Sequence, residues 1–265
     1  MKKVIALILI CTVVCLMLLT GCNEEKDNTV GNTNFENSTP SVENTEKPAN
    51  TDAPIKTAEP TLEPEDNTLK ISVGDYMVFG KYEQDNNEAN GVEDIEWLVL
   101  DVKDEKALVI SKYSLDCKMY GGWVDITWEE SPLREWLNDD FVNSAFDADE
   151  QKLIQTMTIT ADKNPQYDTD PGKDTQDKVF LLSINEANKY FADDSERWCQ
   201  ATEYAIAAGA EVNGINCCHW WLRSPGAAQA LVAEVSDFGD IVLGGLNPDC
   251  ILNGVRPALW IDLNS

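Results

Sequence analysis

Histidine is almost missing from this chain: of 265 residues, only His219 is one. A zinc centre built from several imidazoles is therefore excluded, and a nucleophile that needs a histidine base has one residue to draw on. Basic residues are scarce as well, 20 against 47 acids, for a net charge of −27. So acidic a surface repels polyanions and cannot release condensed counterions from a phosphate backbone, which excludes nucleic acid as a partner. Divalent cations, neutral glycans and basic peptides remain compatible with it. No phosphate loop, no G-x-S-x-G and no H-E-x-x-H occurs, so three common catalytic scaffolds have no foothold here. Nor is there a repeat with a period of about 20 to 50 residues, which excludes a solenoid or propeller.

What is present begins with the one long apolar run. Lys2 and Lys3 precede Val4 to Leu19, a stretch interrupted only by Thr12, and Asn23, Glu24 and Glu25 follow Cys22. This order reads as a secretory signal with a cysteine in place of the small-residue cleavage site. The run stops at Gly21, short of the roughly 20 apolar residues an uncleaved span needs. Leu19-Thr20-Gly21-Cys22 resembles the lipobox of bacterial lipoproteins. The resemblance implies cleavage before Cys22, a diacylglyceryl group on its thiol, and anchorage to the extracytoplasmic face of the cell membrane. Residues 1–21 are then the signal peptide. Two or more acyl chains hold such a protein stably, where one is marginal.

Residues 22–67 are mostly Asn, Glu, Thr, Pro, Asp and Ser, and their few apolar residues follow no helical or strand period. Such a segment buries too little surface to offset its ordering entropy, and it is expected to be a disordered acidic tether. As a random coil of roughly 45 residues it spans about 35–40 Å. The signal carries +2 and the tether −8 of the total −27, which leaves −21 on residues 68–265. Five cysteines fall in that remainder, Cys117, Cys199, Cys217, Cys218 and Cys250. An exported domain permits disulfides, but an odd number leaves at least one thiol free, and the pairing is not legible.

From residue 68 the texture is that of a folded domain. Leu69 to Gly80, Ile95 to Val102 and Ala107 to Ser111 read as three antiparallel strands, the last two joined by the polar turn Lys103-Asp104-Glu105-Lys106. Ser131 as N-cap with Pro132 after it opens a helix through Leu137, and short helical pieces continue over 139–146 and 149–154. Val179 to Leu182 is a short buried strand, and Ser183 with Glu186 forms a capping box opening a helix through Tyr190. A further helix covers Thr202 to Ala208, stopped by Gly209. Strand returns at His219–Arg223, Ala230–Ser236, Ile241–Leu243 and Val255–Ile261. The expectation is a single α+β domain of mixed antiparallel sheets and short helices, in which the N- and C-terminal strands join one sheet system.

Six ordered motifs run through residues 68–263. They are Gly74-Asp75-Tyr76 with Phe79-Gly80-Lys81-Tyr82, Ile95 to Leu100, Leu133 to Asn138, Phe180 to Ser183, Trp220 to Gly226 and Gly254 to Leu259. Together they resemble an uncharacterised bacterial domain family of unknown function, common in lipoproteins and surface proteins of Gram-positive anaerobes. The family brings no established activity. The Trp-Trp-Leu-Arg-Ser-Pro-Gly and Val-Arg-Pro-Ala-Leu segments are also distantly similar to C-type-lectin-like folds, the formylglycine-generating group among them. That likeness concerns fold and does not decide function.

Candidate site residues follow from residue type and placement. Trp220 and Trp221 are neighbours on a strand and point to opposite faces, so either both are buried or one belongs to the core and the other, Trp221, is the candidate stacking platform. Arg223 and Arg256 are rare cations in an acidic domain; each either ties strands to an Asp or Glu or clamps a ligand carboxylate. Trp123 and Trp128 flank a polar segment after Gly121-Gly122 and are candidate ligand contacts. Asp168, Asp170 and Asp174 surround a glycine turn and offer oxygen ligands suited to calcium. Cys217-Cys218-His219 invites a catalytic or metal reading, though on a strand His219 points away from Cys218, and no catalytic residue is assigned. The leading expectation is a lipid-anchored domain that binds a cell-envelope glycan or an extracellular protein. The alternatives are an extracytoplasmic modifying enzyme using cysteine, histidine or a metal, and a structural envelope protein.

Overall fold

The computed structural model describes residues 71–264; the signal, Cys22 and the tether expected at 22–67 lie outside the described residues. In chain order the strands are β1 (Tyr76–Tyr82), β2 (Glu93–Lys103), β3 (Lys106–Ser111), β4 (Asp116–Cys117), β5 (Met157–Ile159) and β6 (Thr175–Asp177). They continue with β7 (Val179–Phe180), β8 (Trp220–Pro225), β9 (Val232–Val235), β10 (Ile241–Leu246), β11 (Gly254–Val255) and β12 (Ala258–Asp262). Between them lie α1 (Pro132–Trp136), α2 (Val142–Ala145), α3 (Glu150–Leu153), α4 (Ile184–Tyr190), α5 (Asp194–Arg197) and α6 (Glu203–Ala208). This is the expected α+β composition, with short helices and mostly antiparallel sheets.

The first sheet has the order β1-β2-β3-β12-β7 and the second β10-β9-β8-β11-β4, with β5 and β6 pairing apart. Strands from the two ends of the domain therefore pair directly, β3 with β12 and β4 with β11. The β2–β3 turn places Asp104 and Glu105 at φ 49° and 59°, the two left-handed residues that a tight hairpin requires. Gly80 answers a different demand. Its φ is 71°, and a Cβ there would stand 2.5 Å from the Phe146 ring, so β1 can only bend against α2 with glycine at this point.

One expectation needs correcting. Residues 255–261 are not one strand: β11 ends at Val255 in the second sheet and β12 starts at Ala258 in the first. Pro257 cannot donate a ladder hydrogen bond, and it marks the crossing; its carbonyl accepts from Ser111 N at 2.9 Å. Arg256-Pro257 is thus the seam between the two sheets. The β11–β8 pair is also parallel rather than antiparallel. Gly254 lies so close to Ser114 and Cys218 that a side chain would collide with both.

The helix starts read from the sequence are present. Ser131 Oγ accepts from Arg134 N at 3.4 Å ahead of Pro132. In α4, Ser183 Oγ accepts from Glu186 N at 3.2 Å while Ser183 N donates to Glu186 Oε2 at 2.9 Å. The core spans both sheets and includes Trp97, Phe141, Phe180, Trp220 and Leu259, all essentially inaccessible.

Candidate functional site

The tryptophans expected to meet a ligand are mostly core. Trp220 and Trp221 do point to opposite faces of β8, but both are 0% exposed, because each face of this central strand is covered. Trp220 Nε1 donates to Arg197 O at 3.2 Å on one side, and Trp221 Nε1 to Lys118 O at 2.9 Å on the other. Trp221 also packs edge-on against Tyr120, with centroids 5.9 Å apart. It offers no open stacking face, which removes the main support for a sugar platform on β8. Trp128 is buried as well, its Nε1 donating to Asp177 Oδ2 at 2.9 Å. Trp123 alone of the named tryptophans stands free, 71% exposed beside exposed Val124.

The proposed calcium ligands are spent separately. Asp168 pairs with Lys163 at 3.3 Å, Asp170 Oδ1 accepts from Gly172 N at 3.0 Å, and Asp174 Oδ1 accepts from Ala161 N at 2.9 Å. Their oxygens do not converge. Among the described residues the carboxylates that do gather are Glu83, Asp85 and Glu93. Each already accepts a hydrogen bond, from Asn87 N, Asn90 Nδ2 and Gln84 N respectively.

Cys218 and His219 diverge. Cys218 is buried against Cys199, its Sγ donating to Cys199 O at 3.6 Å, and the contact with Cys199 together with burial pushes its thiol well above the usual range. His219 sits on the other side of the chain between Glu234 Oε1 at 3.4 Å and Asp237 Oδ1 at 3.5 Å. Hydrogen bonding to Glu234 raises its pKa. The thiol and the imidazole do not form a dyad. All five cysteines of the domain are free thiols, and burial pushes Cys117 up to about 12.

The arginines separate into two kinds. The sequence holds four: Arg134, Arg197, Arg223 and Arg256. Arg134 pairs with Asp177 at 2.7 Å, Arg197 with Asp194, and Arg223 with Glu186 and with Asp162 at 3.7 Å. Arg256 has no carboxylate partner among the described residues. It is nonetheless 3% exposed, and buried charges ordinarily occur in pairs. Its Nε donates to Ser111 O at 3.0 Å and its Nη1 reaches Arg197 O at 3.4 Å. The guanidinium lies over Trp220 and Phe191, 5.1 and 5.4 Å from the ring centroids.

The seam position explains what this arginine faces. Arg256 lies in the wall of a cavity of about 490 Å³ between the start of β1, the middle of β2 and the α4–α5 corner. Tyr76, Tyr190, Phe191 and Trp198 supply aromatic walls, and Lys112 and Glu196 are the other charged residues lining it. Lys112 is held by Glu96 at 2.7 Å, and Glu196 accepts from Ala192 N at 2.7 Å. Nη2 of Arg256 makes no hydrogen bond within the described residues. Among the residues singled out from sequence, only Arg256 belongs to this cavity; its aromatic walls were not. Tyr76 carried one available signal, its place in the Gly-Asp-Tyr motif. Trp198, 45% exposed, carried another as a large aromatic between two charged helix turns.

A second, more apolar cavity of about 560 Å³ is lined by Met119, Pro132, Leu133, Trp136 and Ile251, with Lys118 Nζ over the Trp136 ring at 4.5 Å. It contains no buried polar group without a partner.

No curated protein and no solved structure matches this chain. A family model described as a domain of unknown function (DUF6273) matches residues 104–263. The match begins at the β2–β3 turn, so β1 and β2, with the two N-terminal motifs, fall outside it although they complete the first sheet. Since the match covers more than half of the chain, including the seam and all four arginines, this protein belongs to the DUF6273 family.

Proposed function

We propose that this protein is a lipid-anchored, extracytoplasmic binding protein, held to the cell membrane through Cys22 and presenting one α+β domain that takes a ligand in the cavity above Arg256. The observation that carries the binding half is a buried guanidinium with no carboxylate partner among the described residues, in the wall of a cavity with four aromatic side chains. A volume of about 490 Å³ falls in the range of sites that enclose a small molecule or the end of a larger one. A terminal unit of an envelope glycan or peptide fits that description. A flat protein surface fits it less well. The anchoring half is supported by Leu19-Thr20-Gly21-Cys22 after a charged and apolar leader. C-type-lectin-like architecture belongs to the same reading and is supported by the two C-terminal motifs.

Two measurements test it. Cys22→Ala should move the protein from the membrane fraction to the soluble exported fraction; retention in the membrane would remove the lipid anchor. A binding screen of the full chain in neutral detergent against envelope glycans and muropeptides should report through Trp198, the exposed indole at the cavity edge. A ligand that binds without perturbing Trp198 would place the site elsewhere.

A further inference from the structure

We infer that the ligand of this cavity carries a carboxylate, which Arg256 binds end-on beside an apolar or aromatic body. The inference rests on the cavity reading above and adds the chemical class of its occupant. A guanidinium has five N–H donors in a planar fork. Arg256 commits Nε to Ser111 O and one Nη1 hydrogen to Arg197 O. Three N–H donors are left over, one on Nη1 and two on Nη2, and an Nη1–Nη2 pair can receive the two oxygens of a carboxylate side by side.

The other arginines define what such an edge ordinarily meets. Arg134, Arg197 and Arg223 each meet an Asp or Glu of the protein. At Arg256 the protein supplies two backbone carbonyls and two aromatic faces instead. Its charge is therefore solvated only in part, in a position 3% exposed. A carboxylate arriving from outside completes the pairing that the other three have from within.

A monoanion suits the surroundings better than a dianion. A phosphate would need a second free cation, and the other cation in the lining, Lys112, is already paired with Glu96 at 2.7 Å. Glu196 in the same lining opposes further negative charge, as does the −21 of residues 68–265. Tyr76, Tyr190 and Phe191 supply contact for a flat apolar body.

The test uses 4-hydroxyphenylacetate, its neutral amide and phenyl phosphate as probes of the full chain in neutral detergent. Binding is followed by Trp198 fluorescence and by the arginine Nε–Hε resonances. The acid should bind about ten- to a hundred-fold more tightly than the amide, the range of a charge-assisted hydrogen bond, and should shift the Arg256 resonance. Equal binding of acid and amide overturns the carboxylate while leaving the cavity as a neutral site. Tighter binding of phenyl phosphate overturns the choice of a monoanion. A shift of another arginine instead of Arg256 overturns the assignment. Failure of all three probes to bind overturns the cavity reading itself. Arg256→Lys, which keeps the charge and loses the fork, should remove most of the preference for the acid. Because Arg256 packs on Trp220, the wild-type acid–amide comparison decides the matter should that variant not fold.

Discussion

Arg223 and Arg256 are alike in every respect that sequence can express. Arg223 sits within the Trp220–Gly226 motif and Arg256 within Gly254–Leu259, and the fold extends the likeness, since each is buried and each lies near an aromatic ring: Phe180 at 5.8 Å for one, Trp220 at 5.1 Å for the other. Their surroundings divide them. Arg223 closes a structural corner. Its Nη1 reaches Leu181 O at 2.8 Å and the Glu186 carboxylate, and its Nη2 reaches Thr160 O at 3.2 Å. Glu186 is also the capping-box residue of α4, so one guanidinium ties β8 to the start of a helix. Arg256 closes nothing of that kind. The lesson is that a buried arginine is read from its counter-charge: paired with a carboxylate within the fold it is a fastening, even though Nε of Arg223 has no hydrogen-bond partner among the described residues, and facing a cavity without one it is the proposed receptor.

That contrast breaks first, and most visibly, at Arg223. Arg223→Met should destabilise the domain by about 3 kcal/mol, because it strands the buried carbonyl of Leu181 and leaves the Glu186 carboxylate without its partner. Urea denaturation checks this, with ligand binding at the cavity expected to persist in the folded fraction. A loss below about 1 kcal/mol would mean that Arg223 is no fastening and that the two arginines are not different in kind.

Arg256→Met should cost far less, within about 1 kcal/mol in the same measurement. The variant loses two hydrogen bonds to backbone carbonyls and two cation–π contacts, but it also relieves a buried charge that has no counter-ion among the described residues, and such replacements are often close to neutral. A destabilisation equal to that of Arg223→Met would turn Arg256 into a second fastening and remove the reason for calling the cavity a site.

How much of this division was legible beforehand differs by element. The caps were legible because they are local: Ser131-Pro132 and Ser183 with Glu186 state a helix start within four residues. The hairpin turn at Asp104-Glu105 was legible for the same reason. The break of 255–261 into two strands was not, since it depends on which sheet each half joins, and Pro257 alone does not say. Burial of both Trp220 and Trp221 was one of two readings the sequence left open, and it is the one the fold adopts. Alternation on a strand tells which face a side chain takes, and only the packing of residues 118–128 tells that the face is covered. The openness of Arg256 could not be read at all, because it is the lack of a partner that residues far away in sequence might have supplied. The short strands Asp116–Cys117, Met157–Ile159 and Thr175–Asp177 were missed for want of any alternating pattern long enough to register.

His219 lies between the two arginines in character and sharpens the comparison by the smallest effect. It has carboxylates on both ring nitrogens, Glu234 at 3.4 Å and Asp237 at 3.5 Å, yet its side chain is 35% exposed. The hydrogen bond to Glu234 raises its pKa above the usual 6.5, burial opposes the rise, and the charges of Glu234, Asp237 and Glu211 add to it. Since the folded value lies above the unfolded one, the folded state binds the proton more tightly. The stabilisation is therefore fully present below about pH 6.5 and is lost as the pH rises through the folded value. Solvent screening at this exposure keeps it under about 1 kcal/mol. Urea midpoints compared at about pH 5.5 and about pH 7.5 should fall with rising pH in the parent chain. In His219→Gln that fall should flatten. A fall of the same size in both would show that the imidazole is unpaired in solution, and that a fastening needs the burial of Arg223 as well as its carboxylates.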